Sequence, residues 1–318
     1  MLFEPFEDFG DVGEIAARLR ESDPAVRRLA VIELAGTASP DAIGPIGSLT
    51  EDPDAGVRLQ VALALGEFDG AAAAEGLARL VVDADPNVAA AAAASLTELK
   101  QPEAGAPLLP LAAHASPFVR AAVLGGLRGL RLDAALGPAL IALTDPEPGV
   151  RVQAAGVIAY LKREDALPSL IAAARDPEPD VRTVAVDALA FSRHDGAADA
   201  VVQALEDAHW QVRASAAETL GRIGLVSAIP GLTRTLGDTF WQVRQKALRS
   251  LGSLKARTAI PLILPLLGHE VAILRKEAAA ALGEMADPVA RVELEQRADD
   301  PDPEVRKTVR WALGRLTA

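Results

Sequence analysis

Four histidines, a recurring aspartate–arginine pair and one basic stretch bearing two tryptophans are the residues of this chain equipped for chemistry. His114, His194, His209 and His269 each stand at or beside a turn, and none has a second histidine at metal-ligand spacing. Cysteine is absent, which removes disulfides, thiolate metal sites and cysteine nucleophiles. No glycine-rich phosphate loop follows a strand, and no serine–histidine constellation can be assembled. The histidines therefore read as solvated turn residues. No cofactor, metal or catalytic residue is expected.

The basic stretch points to binding rather than reaction. Residues 209–257 hold eight Lys/Arg, including Arg222, Lys246 and Arg249, against Glu218 and Asp238. Trp210 and Trp241 open the same Trp-Gln-Val-Arg phrase 31 residues apart. Tryptophan beside arginine is the usual makeup of an interface hot spot. The competing expectation is that each indole packs over its neighbour.

The elements that position these residues follow from one period. Arg27, Arg58, Arg120, Arg151, Arg182, Arg213, Arg244, Arg275 and Arg306 recur at multiples of 31 residues, with Ala89 in the third place. Seven residues beyond each of these ten positions lies leucine or isoleucine, and three beyond lies alanine or valine. Ten copies at one period mean a stacked-repeat architecture, all-α, in which each unit packs on its neighbours. Before the repeat position a helix start recurs, as in Asp23-Pro24, Asp85-Pro86 and Asp302-Pro303, with Ser116-Pro117, Glu147-Pro148 and Glu178-Pro179 as variants: a carboxylate to cap free amides, then proline where no donor is missed. Val305, Val309, Ala312, Leu313 and Leu316 then recur on one face, the spacing of a buried stripe. Another apolar segment precedes each such helix, often opened by proline (Pro45, Pro138, Pro230), so each repeat is a helical hairpin. Ile158, Leu189 and Leu220 are expected to be buried in a row. Arg310, where the other copies carry Val, Ala or Leu, marks the tenth repeat as a cap.

The phrase Asp-Pro-x-x-x-Val-Arg-x-x-Ala-x-x-x-Leu-Gly, nearly whole in residues 145–161 and 300–316, resembles the HEAT repeat, in particular the short phycobilisome-lyase-like type. The resemblance runs from about Asp11 onward. It implies a right-handed superhelix with the second helices on the concave side. It also implies a hydrogen-bonded ladder of the repeat arginines with Asp52, Asp83, Asp145, Asp176, Asp207, Asp238 and Asp300, Glu21 being a near-equivalent. Ala89, His114 and His269 depart from it. The joint loss of Ala89 and position 114 fits an arginine that pairs with the next repeat's aspartate, whereas Arg244 persists opposite His269. HEAT-like iron hydroxylases use repeated His-Glu pairs, and His269-Glu270 is a single one, so that enzyme reading fails. HEAT-like DNA glycosylases need a basic groove, which an acidic chain does not offer.

On the helix face opposite the buried stripe, the first five repeats carry Ile32, Leu59, Leu63, Ala90, Ala94, Ala121, Gly125, Val152 and Gly156, an apolar trough on this reading. Tyr160 and Phe191 follow at equivalent positions. The formal charge of −12 falls on the first half, with 11 Lys/Arg against 22 Asp/Glu in residues 1–159 and 21 against 22 thereafter, which argues against nucleic acid as a partner. No signal peptide and no membrane-spanning run is apparent, and a cytoplasmic location is expected. Residues 1–10 read as an acidic, aromatic extension in which Phe3, Phe6 and Phe9 cover the first repeat or dock a partner; residues 11–318 read as one ten-repeat solenoid. The function expected is a non-enzymatic scaffold, adaptor or assembly factor gripping a protein or peptide at Leu59, Leu63, Tyr160, Phe191, Trp210, Arg222, Trp241, Lys246 and Arg249, the partner being acidic at the Trp210/Trp241 patch. The alternative, implied by the resemblance, is a lyase-like protein holding a tetrapyrrole for delivery to a client.

Overall fold

The computed structural model describes residues 12–192 and 194–316; the extension with Phe3, Phe6 and Phe9 lies outside them. The chain forms two compact units, one up to Leu161 and one from Lys162. Each is a stack of helical hairpins, and no strand occurs among the described residues.

In the first unit the second helices of the hairpins are Pro24–Gly36, Ala55–Leu65, Pro86–Leu96, Pro117–Leu130 and Pro148–Leu161. In the second unit they are Pro179–Ala188, Trp210–Ile223, Trp241–Ser253, Ala272–Met285 and Pro303–Arg315. The Asp-Pro starts work as caps: the Asp23 carboxylate accepts the Ala25 N–H at 2.8 Å and Asp302 that of Glu304 at 2.8 Å. The first helices are shorter and mostly begin as a 3-10 turn, as in Val226–Ala228 before Ile229–Thr235. In repeat 4 that position holds only 3-10 turns, Pro102–Gly105 and Leu109–Ala113. Prolines in these segments remove the amide donors a long α-helix needs.

The buried stripe is where the period puts it. The alanine or valine three residues past each repeat position, from Ala30 to Val309, is fully buried in all ten repeats. Ile158, Leu189 and Leu220 are buried, as are their equivalents from Leu34 to Leu282, while Leu313 is only half-buried and Arg310 is exposed. With small residues in these rows, successive second helices come close. A Cβ added at Gly252 would lie 2.9 Å from Cα of Ala281, and one at Gly221 would lie 3.0 Å from Cα of Ser250. Gly36, by contrast, has open space around its missing Cβ. Gly252→Ala is therefore expected to cost about 1–3 kcal/mol by overpacking, and Gly36→Ala to leave stability unchanged or raised. Urea unfolding of both variants checks this, and equal effects would disprove the close approach.

The ladder is present, and its direction is as expected. Nε and Nη2 of Arg27, Arg58, Arg120, Arg182, Arg213 and Arg275 donate side-on to the aspartate 25 residues later, at 2.6–3.0 Å. Nη1 turns back to the carbonyl six residues earlier, as in Arg58 to Asp52 at 2.7 Å. The aspartate meanwhile accepts the N–H two residues ahead, as Asp52 does from Asp54 at 2.9 Å. Each rung thus ties a turn to itself and to the next hairpin. Hydrogen bonds from Arg58, Arg120 and Arg275 hold Asp83, Asp145 and Asp300 below the usual carboxylate range against the opposing effect of burial. At Asp52, Asp207 and Asp238 burial pushes upward more strongly than any single other influence. The arginine and a backbone N–H together still outweigh it.

Where Ala89 and His114 break the ladder, another clamp spans the same two hairpins. Asp69, just ahead of Ala71–Leu80, accepts from the N–H of Gly70 at 2.7 Å and from those of Lys100 and Gln101 at 3.2 Å. Gly70 has φ +91°, a conformation that favours glycine, which lets the turn close on its own aspartate.

Candidate interaction surface

The sequence-identified site residues of the second unit, Phe191 apart, lie on second helices or their starts, but not as one cationic face. Trp210 is the first residue of its helix and half-buried. Its ring stacks on Phe240 of the next hairpin, with centroids 5.6 Å apart and planes 14° from parallel. The Arg213 guanidinium lies over the other partner of that stack, 5.8 Å from the Phe240 centroid. The neighbour-packing expectation therefore holds for Trp210. Phe240 itself is 42% exposed, and Trp241 is half-buried. The result is a rigid aromatic shelf whose accessible member, Phe240, the sequence reading overlooked. The signal was there: an aromatic residue directly before Trp241, at the turn.

The cations of residues 209–257 are mostly matched. Lys246 pairs with Glu218 at 2.7 Å, Arg249 with the buried Glu277 at 2.6 Å, and Arg222 approaches Asp187 at 3.8 Å while donating to its carbonyl. Arg234 reaches Glu206 at 3.5 Å and Arg257 reaches Asp287 at 3.7 Å. The hydrogen bond from Arg249 to Glu277 raises the arginine's pKa further. Asp187 also accepts from the hydroxyls of Ser215 and Thr219 at 3.0 and 3.3 Å. The local surplus of positive charge thus came from a window that excluded Asp187, Glu206, Glu277 and Asp287. For Lys246 with Glu218 and Arg249 with Glu277, the residue five past one repeat arginine meets the residue two past the next, a pairing visible as opposite charges 28 residues apart.

In the first unit the trough is shorter than the small residues suggested. Ile32 and Leu63 are each 48% exposed and Leu59 is half-buried. Gly125 and Gly156 are buried instead, because Gln153 lies 3.6 Å from the space above Gly125 and the Arg128 stem 3.1 Å from that above Gly156. Tyr160, 46% exposed, has the guanidinium groups of Arg128 and Arg131 each 5.9 Å from its ring centroid. Phe191 sits half-buried in the 3-10 turn Leu189–Phe191 of the second unit. One crevice of the first unit was not anticipated. It measures about 350 Å³ and lies between first-helix segments beside the Arg120–Asp145 rung, lined by Leu109, Pro138 and the exposed Ile141.

The histidines serve the turns. Nδ1 of His114, His194 and His269 accepts the N–H two residues ahead, of Ser116, Gly196 and Val271, at 3.0–3.1 Å. This is the turn bond the ladder aspartates make. Among the described residues no cluster of three or more His, Asp or Glu is arranged for a metal ion, and no helix is long and apolar enough to cross a membrane.

Comparison with known proteins agrees with this architecture. An engineered protein solved by crystallography, a target of the Northeast Structural Genomics Consortium, is similar at 19% identity over 96% of this chain and 99% of its own, with a TM-score of 0.51. That likeness concerns the fold alone. No curated protein sequence matches the chain. The family model for HEAT repeats matches residues 14–85, 137–205, 174–239 and 229–314. The stacked hairpins, their buried rows and their arginine rungs are thus those of a chain that belongs to the HEAT-repeat family.

Proposed function

We propose that this HEAT-repeat chain is a non-enzymatic scaffold that docks a polypeptide on the second unit, with Phe240 and Trp241 as its anchors. The observation that carries this is the Trp210–Phe240 stack. It fixes an aromatic surface before any partner arrives, so little side-chain freedom is lost on binding. The ion pairs around it form a polar rim in which Arg222 and Arg249 keep half of their side chains in solvent. Because Asp187 and Glu277 already pair with these two arginines, the rim gives little support to a partner that is acidic there. Ile32, Leu59 and Leu63 give the first unit an apolar contact surface of its own, and Tyr160 an aromatic one. Nothing in the geometry favours the tetrapyrrole-carrier alternative.

Screening the purified chain against a displayed peptide library tests the proposal. Trp241→Ala is expected to weaken the selected peptide by about 2 kcal/mol, roughly thirtyfold in Kd, and Lys276→Ala by much less, both folds remaining intact by circular dichroism. Equal effects would return the patch to a packing role. An absorption band in the visible from the purified protein would instead support the cofactor carrier.

A further inference from the structure

Among the described residues, the buried side-chain polar atoms left without a hydrogen bond are Nδ1 of His209, Oε1 of Gln242 and Nε of Arg244. All three belong to the starts of the second helices in repeats 7 and 8. Such atoms are uncommon, because each has given up water without gaining a partner. For Arg244 the cause is chemical. Its rung partner would stand 25 residues on, and that residue is His269. Nδ1 of His269 accepts the N–H of Val271 at 3.0 Å, so in the neutral ring the proton sits on Nε2. The imidazole then has no lone pair to offer a guanidinium.

Repeat 4 supplies an internal comparison. His114 makes the same turn bond, but there the arginine one repeat earlier is gone as well, replaced by Ala89. Repeat 8 keeps its arginine without the carboxylate. Arg213 and Arg275 hold a carbonyl six residues back as well as a carboxylate ahead. The Arg244 side chain forms no ion pair or hydrogen bond with any described residue, although its backbone N–H donates to the Phe240 carbonyl at 3.3 Å and the residue remains partly exposed. Trp241 and Phe240 stand three and four positions before it, one helical turn away at the aromatic shelf.

We propose that Arg244, whose rung position 25 residues on holds His269, is a binding site for a carboxylate that the repeat ladder itself does not supply, namely an aspartate or glutamate side chain of a bound polypeptide. The other repeat arginines show the preferred ligand: a planar carboxylate met side-on by Nε and Nη2. One guanidinium balances a monoanion. A phosphate dianion would leave charge uncompensated, the more so with Asp238 within Coulombic reach of Arg244. This goes beyond the scaffold reading, because the orphaned donor exists whatever the aromatic shelf binds.

The test is an acetate titration of the full chain, followed in 15N–1H spectra at the Arg244 Nε–H resonance, which Arg244→Lys identifies by its disappearance. Acetate should move that resonance saturably, while chloride at equal ionic strength does not. His269→Asp closes the rung from within, so it should place the resonance at the bound position and abolish the response to acetate. N-acetyl-Phe-Asp-amide should bind at least about tenfold more tightly than acetate, a difference of about 1.4 kcal/mol. Equal affinity would assign the site to free acids and overturn the polypeptide assignment. A response to acetate no larger than to chloride, or one that survives in His269→Asp, would overturn the site. Because acetate does not need the aromatic shelf, failure of Trp241→Ala to affect peptide binding leaves this result independent.

Discussion

Leu189→Ala is expected to lower the free energy of unfolding by about 2–5 kcal/mol. Leu189 is 1% exposed and closes the Pro179–Ala188 helix at the position that is buried in nine consecutive repeats. Alanine there removes three carbons' worth of apolar transfer and leaves a cavity. The neighbouring rows are already fully occupied by Ala185 and Val186, which are themselves buried, so little can move in to fill it. The urea midpoint measures the loss, and an unchanged midpoint would mean that the assigned register is wrong. Because repeat arrays need not unfold in one step, a change in slope together with midpoint would show that the units on either side of the lesion have uncoupled.

Asp300→Ala is the second large effect, at about 3 kcal/mol. The side chains of Arg275 and Asp300 are 11% and 1% exposed, and Asp300 also accepts the Asp302 N–H at 2.9 Å. Removing it strands a guanidinium and a turn amide together, which costs far more than losing an exposed pair. A loss below about 0.5 kcal/mol in urea would place the rung among ordinary surface pairs. The same chemistry sets the acid limit. The ladder aspartates titrate below their unfolded range, so the stability they contribute is fully present above that range and is lost as pH falls through their folded pKa values. The urea midpoint should therefore be level from neutrality to about pH 5 and fall steeply below about pH 4, less so in Asp300→Ala. A midpoint that falls already at pH 6 would mean that groups other than the ladder aspartates set the acid limit.

The fold was legible because its instructions are local and repeated. The buried Ala/Val and Leu/Ile rows and the Asp-Pro caps followed from one 31-residue period, and the rungs from the resemblance to the HEAT repeat. The interaction surface was only partly legible, for two physical reasons. Charge was counted along the chain, whereas Lys246, Arg249 and Arg222 are neutralised by Glu218, Glu277 and Asp187 from adjacent repeats. Small residues were read as open surface, whereas Gly125 and Gly156 are covered by Gln153 and Arg128. Phe240 was missed because attention fell on the two tryptophans in identical phrases, and the stack pairs one of them with a residue outside the phrase. The His269 substitution was noticed, but only the orphaned Arg244 Nε shows what it leaves behind.

The direction of the rungs bears on how the protein is made. In each, the arginine comes first along the chain and its carboxylate follows 25 residues later, while the arginine's bond to its own turn spans only six. During synthesis a hairpin can close its turn alone, but it must wait for the next turn to emerge before its arginine is neutralised. Translation thus runs with one uncompensated guanidinium at the growing edge, passed forward a repeat at a time. At Arg244 the hand-over fails, since the turn that arrives brings His269. The exposed edge of a nascent chain is there preserved in the finished one.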